Sequence, residues 1–359
     1  MSHFEERLER DLEKIRGEVA AVAEKVETAV RHAREALLTH NKPLANETIL
    51  GDLPINRAIR NIDRLCYRFI ALYLPSAGHL RYISTVLRLD IALERIGDYA
   101  VTICREVNQL SRPPTGIMRR EIERLADEAL EMYHQAMRAF NERNADLARA
   151  TIPLAAQARR SFGVAYADLV EEGKRHAYEC DELLMILIIL NRISRINDQA
   201  KNICEDTVFA VTGESKQPKV YRIAFLEDED RFLGPMAVAV ARKTYPNSGR
   251  YTSAGLHPAP ALEPDFVAWM EAHGYDVTEA RPRPIDWPPE DWETFHVVIS
   301  LDGPVERYLD PPPFNTAVLE WRIDLEGAAT PEERFERALR QIAAHVSALM
   351  ETMRGEDAD

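Results

Sequence analysis

Asp90, Glu94 and Asp98 stand at i, i+4 and i+8, a spacing that stacks three carboxylates along one face of a helix. Like charges so placed repel by about a few tenths of a kcal/mol per pair. Arg95 is the only basic residue three or four places from any of them. A bound cation would relieve the repulsion, and carboxylate oxygens suit hard or borderline ions such as magnesium, calcium, manganese, iron or zinc. Asp52 and Asn56, at i and i+4 on the segment before, are candidate partners from a neighbouring helix. The alternative is a solvated acidic face that binds nothing.

The stretch occurs twice. A shift of one hundred positions lays Glu94-Arg-Ile-Gly-Asp98-Tyr-Ala-Val-Thr-Ile-Cys104 on Ser194-Arg-Ile-Asn-Asp198-Gln-Ala-Lys-Asn-Ile-Cys204, with Arg, Ile, Asp, Ala, Ile and Cys in register. The second copy replaces Asp90 by Leu190 and Glu94 by Ser194, and Leu154 corresponds to Asp52, so Asp198 is the main surviving carboxylate. At most one good metal site is expected, in the first half. Gly97 lies mid-helix, where glycine costs about 1 kcal/mol relative to alanine, so a close backbone approach is expected there. Cys104 and Cys204 are expected as small core packers.

These positions need long helices to hold them. From Phe4, apolar residues fall at 4, 8, 12, 15, 19, 22, 26, 30, 33 and 37, which predicts one amphipathic helix of roughly 50 Å. Breaks at 41–43, 75–78, 113–116, 141–146, 173 and 213 leave about six helices, with Gly213 as a C-cap. This is a duplicated three-helix unit, with repeats at about 1–112 and 115–213. Residues 214–219 form a polar stretch with one proline, after which short β-branched runs alternate with helices. Strands are expected at 220–226 and 296–301 and helices at 236–243, 265–273 and 331–353, an α/β pattern. Residues 355–359 read as a frayed acidic tail.

The 359 residues suit two domains. A net charge of −14 repels a phosphate backbone and argues against nucleic acid as a partner. Four scattered cysteines make no C-x-x-C pair, and the N-terminus lacks the apolar core of a secretion signal, so a reducing cytoplasm is the expected location. Residues 183–190 are the only long apolar run, and a spanning helix needs about 20. Apolar on every face, this run must be covered all round, either deep in the core or by a dimer or membrane-protein partner.

The segment 94–100, with Asn202-Ile-Cys-Glu-Asp-Thr-Val-Phe-Ala-Val-Thr-Gly213-Glu214, resembles the twice-repeated signature of PhoU proteins over residues 1–215. The resemblance implies an all-α pair of three-helix bundles and metal bound at the motif. It also implies a homodimeric negative regulator that touches membrane proteins peripherally, linking the phosphate ABC transporter to a sensor histidine kinase. The motif's usual histidine is replaced by Tyr99 and Gln199.

Residues 219–354 resemble the low-molecular-weight tyrosine phosphatase and arsenate reductase fold, a flavodoxin-like α/β domain. The match rests on a strand ending at Leu226, the helix start Gly234-Pro-Met-Ala-Val-Ala-Val-Ala-Arg242, Ser253-Ala-Gly255, Gly274-Tyr-Asp276 and the strand at 296–301. In that family the loop after the first strand opens with a nucleophilic cysteine and closes with a phosphate-binding arginine. Here Glu227 and Leu233 stand at those places, and no cysteine occurs in 220–359. Four carboxylates in 227–230, opposed by Arg231, are expected to repel phosphate from the loop mouth. The family's late Asp-Pro is matched neither by Asp324 nor clearly by Asp310-Pro311. The expected result is a non-enzymatic regulator with a pseudo-phosphatase domain used for docking. The alternatives are a phosphatase or arsenate reductase with a relocated active centre, and a metal-storage bundle.

Overall fold

The computed structural model describes residues 3–214, 219–292, 294–313 and 316–355. Most of the polar stretch after Gly213 (215–218) and of the acidic tail (356–359) lies outside the described residues. The chain separates into two compact units, Met1–Lys216 and Gln217–Asp359.

The first unit is all-helical: α1 (His3–Thr39), α2 (Lys42–Tyr73), α3 (Ala77–Gln109), α4 (Gly116–Asn141), α5 (Ala145–Thr151), α6 (Leu154–Lys174) and α7 (Cys180–Thr212). The periodic apolar residues of α1 from Leu12 to Leu37 are buried. Asn41 starts α2, its side chain accepting the Leu44 N–H at 3.1 Å. Gly213 ends α7 at φ 80°, donating its N–H to Phe209 at 2.9 Å. Seven helices stand where the breaks indicated six, because 152–153 interrupts the fifth and Pro153 precedes α6. Proline at that point lacks the N–H to continue α5.

The two motif helices, α3 and α7, pack along each other, and α1 packs on α2, α3 and α4. Arg88 on α3 binds Asp206 on α7 at 2.8 Å. One apolar core runs through the unit and takes in Cys66, Cys104 and Cys204. Burial pushes the Cys104 and Cys204 thiols up to about 12, as suits inert packing residues. The run 183–190 is covered on one side only: Ile186, Ile189 and Leu190 are buried, while Leu184 and Ile188 are exposed.

The second unit carries a parallel sheet in the order β2-β1-β3-β4, from β1 (Tyr221–Leu226), β2 (Gly249–Ala254), β3 (Val297–Ser300) and β4 (Ala317–Glu320). The helices are α8 (Leu233–Thr244), α9 (Pro264–Ala272), the short α10 (Pro289–Trp292) and α11 (Pro331–Arg354). Alternation along β1 serves both faces of the sheet. Ile223 and Phe225 join the core under α8, α9 and α11, while Ala224 and Leu226 pack with Trp292, Phe295 and Val305. Strand order reverses between β1 and β3, the switch point of an open α/β sheet. Both strands point their C-terminal ends into loop 227–232 and the turn at 301–304.

Candidate functional site

The hairpin of α2 and α3 brings two sets of acidic groups together. Across it, a Cβ on Gly97 would come within 3.3 Å of Asp52 Oδ1. Further along, Asp63 and Cys66 of α2 face Asp90. Rising positions on one helix meet falling positions on the other, as in an antiparallel pair.

Asp52 Oδ2 accepts Asn56 Nδ2 at 2.6 Å. Asp52 Oδ1 and Asn56 Oδ1 are buried and have no hydrogen-bond partner among the described residues. Burial, and then the charge of Asp98, push the Asp52 carboxyl up, against the lowering effect of Asn56. Gly97 is what lets the carboxylate sit so close to the α3 backbone.

Asp90 does not share this place. It is 1% exposed and neither side-chain oxygen has a hydrogen-bond partner among the described residues, whereas Glu94 and Asp98 are exposed. Burial, and then the charge of Asp63, push its carboxyl up to about 8. The geometry of the helix explains the split: each i, i+4 step rotates by about 40°, so Asp90 is turned about 80° from Asp98. The stripe therefore begins in the core and ends in solvent. Asp63 was missed from the sequence, although it shares a face of α2 with Asp52 and Asn56 at spacings of four and seven.

Among the described residues, no three His, Cys, Asp or Glu side chains are arranged to hold a metal ion. The orphaned oxygens of Asp52 and Asn56 are what fits an oxygen-ligated cation there. In the second repeat Asn197 takes the place of Gly97, 3% exposed with neither amide atom partnered among the described residues, and Asp198 is bound by Arg195 at 3.1 Å.

The acidic loop of the second unit is arranged otherwise than its sequence suggested. Glu227 and Asp230 lie inside it, 6% and 0% exposed, while Asp228 and Glu229 face outward. Glu227 Oε2 accepts the N–H of Phe232 at 3.3 Å and of Gly234 at 3.0 Å. Burial raises Glu227 to about 7 against the lowering effect of the Gly234, Leu233 and Phe232 N–H groups, and Asp230 raises it further. Asp230, at φ 47°, accepts the Arg283 N–H at 2.9 Å and is raised by burial to about 6. Leu233 is a core residue at the start of α8. Arg231 binds Glu229 and Glu263 at 2.8 and 3.0 Å. Beside the loop, Asp228 meets His257 at 3.0 Å and receives a contact from Arg307 at 3.6 Å, while its N–H goes to Asp302 at 2.8 Å. Asp324 accepts the Glu326 N–H at 2.9 Å in a turn.

The PhoU domain family model matches residues 19–107 and 122–207, one match for each copy of the motif. A phosphate-specific transport system accessory protein PhoU homolog of Pseudomonas putida is 31% identical over 214 residues, covering 59% of this chain and 83% of that relative. The crystal structure of PhoU from Pseudomonas aeruginosa is similar at a TM-score of 0.55 and 31% identity, over 57% of this chain and 99% of that one. An arsenate reductase in the phosphate binding state is 22% identical over 37% of this chain and 99% of that one, with a TM-score of 0.32.

Proposed function

The chain belongs to the PhoU family, and from that premise we propose that it is an accessory regulator of phosphate-specific transport that represses phosphate uptake and phosphate-responsive signalling when phosphate is plentiful. The observation that carries this reading is the 31% identity running through 83% of a relative named for that system. Its partners are the phosphate transporter and a membrane sensor histidine kinase, which it meets as a homodimer at the cytoplasmic face. No described helix is long and apolar enough to cross a membrane. Affinity capture from phosphate-rich and phosphate-starved cells tests the reading, and recovery of neither partner under either condition would contradict it.

The first repeat supplies the metal site in this reading. Asp52, Asn56 and Asp98 hold a divalent or transition metal ion, Glu94 stands one turn before Asp98, and Asp90 takes no part. The orphaned buried oxygens of Asp52 and Asn56 support this assignment. A cation there would remove the repulsion between Asp52 and Asp98 and fix the α2–α3 pair. In the second repeat, Leu154 and the Arg195-bound Asp198 leave no equivalent donor set. The α/β unit acts as a docking module without catalysis, since residues 220–359 contain no cysteine to serve as a thiolate nucleophile.

A further inference from the structure

The segment between β1 and α8 is shaped to hold an anion. Phe232 caps α8, and Leu233 and Gly234 are its first two residues, so their N–H groups have no carbonyl partner within the helix. Such a helix start, with its positive dipole end, attracts negative charge. Asp230, in the left-handed region at φ 47°, turns the chain back so that these donors face the end of β1. Close approach is needed at two glycines. A Cβ on Gly255 would fall 2.6 Å from the carbonyl oxygens of Glu227 and Asp228, and one on Gly234 would fall 2.7 Å from Asp230 Oδ1.

The donors are already engaged. Glu227, the first residue after β1, reaches across the loop and places its carboxylate on the N–H groups of Phe232 and Gly234. It is 6% exposed, so its charge is withdrawn from water, and among the described residues this set of donors is what compensates it. Asp230, fully buried beside Ser253, sets its Oδ1 against the same glycine. A second negative charge beside it makes a singly charged carboxylate a better occupant than a phosphate dianion.

We propose that loop 227–233 is an anion cradle whose resident ligand is the chain's own Glu227 carboxylate, which keeps the α/β unit in an anion-filled state closed to external oxyanions. The unit then has no means of reading phosphate through this loop. This inference stands apart from the transport role proposed above, because it concerns one loop and is tested on the purified chain.

All four tryptophans, Trp269, Trp287, Trp292 and Trp321, lie in the second unit, so tryptophan fluorescence follows that unit in the full-length protein. Thermal melts of wild type, Glu227→Ala and Glu227→Gln are compared in sodium acetate, sodium phosphate and sodium chloride at matched ionic strength. Glu227→Ala is expected to melt lower than wild type and to gain several degrees, saturably, in acetate relative to chloride. Wild type and Glu227→Gln, whose cradles are filled, are expected to respond to none of the three anions beyond the common salt effect. An acetate gain in Glu227→Ala no larger than in wild type would overturn the proposal, as would stabilisation of wild type by phosphate. If Glu227→Ala is unfolded in chloride, refolding yield is read instead, and equal recovery in acetate and chloride overturns the proposal.

Discussion

Asp52 Oδ1 lies 3.3 Å from the point where a Cβ on Gly97 would stand. The mid-helix glycine thus leaves room for a carboxylate from the neighbouring helix, and the helix-propensity cost at Gly97 is tied to the candidate metal site. Gly97→Ala gains about 1 kcal/mol of helix propensity and loses part of it to the displaced carboxylate. Chemical denaturation is expected to change by less than that amount, while metal retained through dialysis, read by elemental analysis, falls several-fold. Unchanged metal content would separate the glycine from the site.

Asp52→Asn removes the charge while keeping the shape. The metal-free protein is expected to be as stable as wild type or more so, because a half-buried carboxylate facing Asp98 is replaced by an amide. The metal-dependent rise in melting temperature is expected to disappear. Asp198→Asn in the second repeat is the control, and its metal content should match wild type.

Asp90 sets a pH dependence. Its carboxyl is raised to about 8 in the folded state, above an unfolded value near ~3.9. Between these values the native state holds a proton that the unfolded state releases. The stabilisation is therefore complete below about pH 4 and is lost as pH rises through about 8, with a slope of up to ~1.4 kcal/mol per unit. Urea denaturation at pH 5, 6, 7 and 8 is expected to show a steeper fall for wild type than for Asp90→Asn. Parallel curves would contradict the assignment of a buried neutral acid.

Ile188 and Ile189 are neighbours in sequence with opposite surroundings, one exposed and one fully buried. Ile188→Ala is expected within about 0.5 kcal/mol of wild type, and Ile189→Ala to lose about 2–5 kcal/mol, both read from denaturation midpoints. Equal losses would mean that the exposed side of 183–190 is covered in the native protein.

The proposal that the second unit docks without catalysis is checked with a generic aryl phosphate. Hydrolysis by the purified chain is expected at the rate of buffer alone. Turnover that Glu227→Gln abolishes would show that the loop does chemistry.

The helical architecture was legible because its signals are local and repeated. The spacing of α1, the shift of one hundred between motifs and the Gly213 cap each constrain many residues at once. The strands β2 and β4 were not identified as strands from sequence: β1 and β3 are no longer than these, but they carry continuous buried apolar runs, whereas Gly249–Ala254 and Ala317–Glu320 are mixed in polarity and partly exposed. They are defined by pairing with β1 and β3. The sequence pointed to Asp52, Asn56 and Gly97 but could not show that Asp90 turns into the core, since whether the 40° drift per step of four matters depends on which neighbour covers the helix. In loop 227–230 the composition suggested uniform repulsion, and only the backbone path divides its carboxylates into two buried and two outward-facing groups.

The central claim is that this chain represses the phosphate-starvation response through a PhoU-type helical unit. Its most direct measurement is a phosphate-starvation reporter in cells lacking the gene, grown in phosphate-rich medium and complemented with the full chain or with none. The account predicts high reporter output without the chain and repression when it is restored. Output that stays low in its absence would contradict the account.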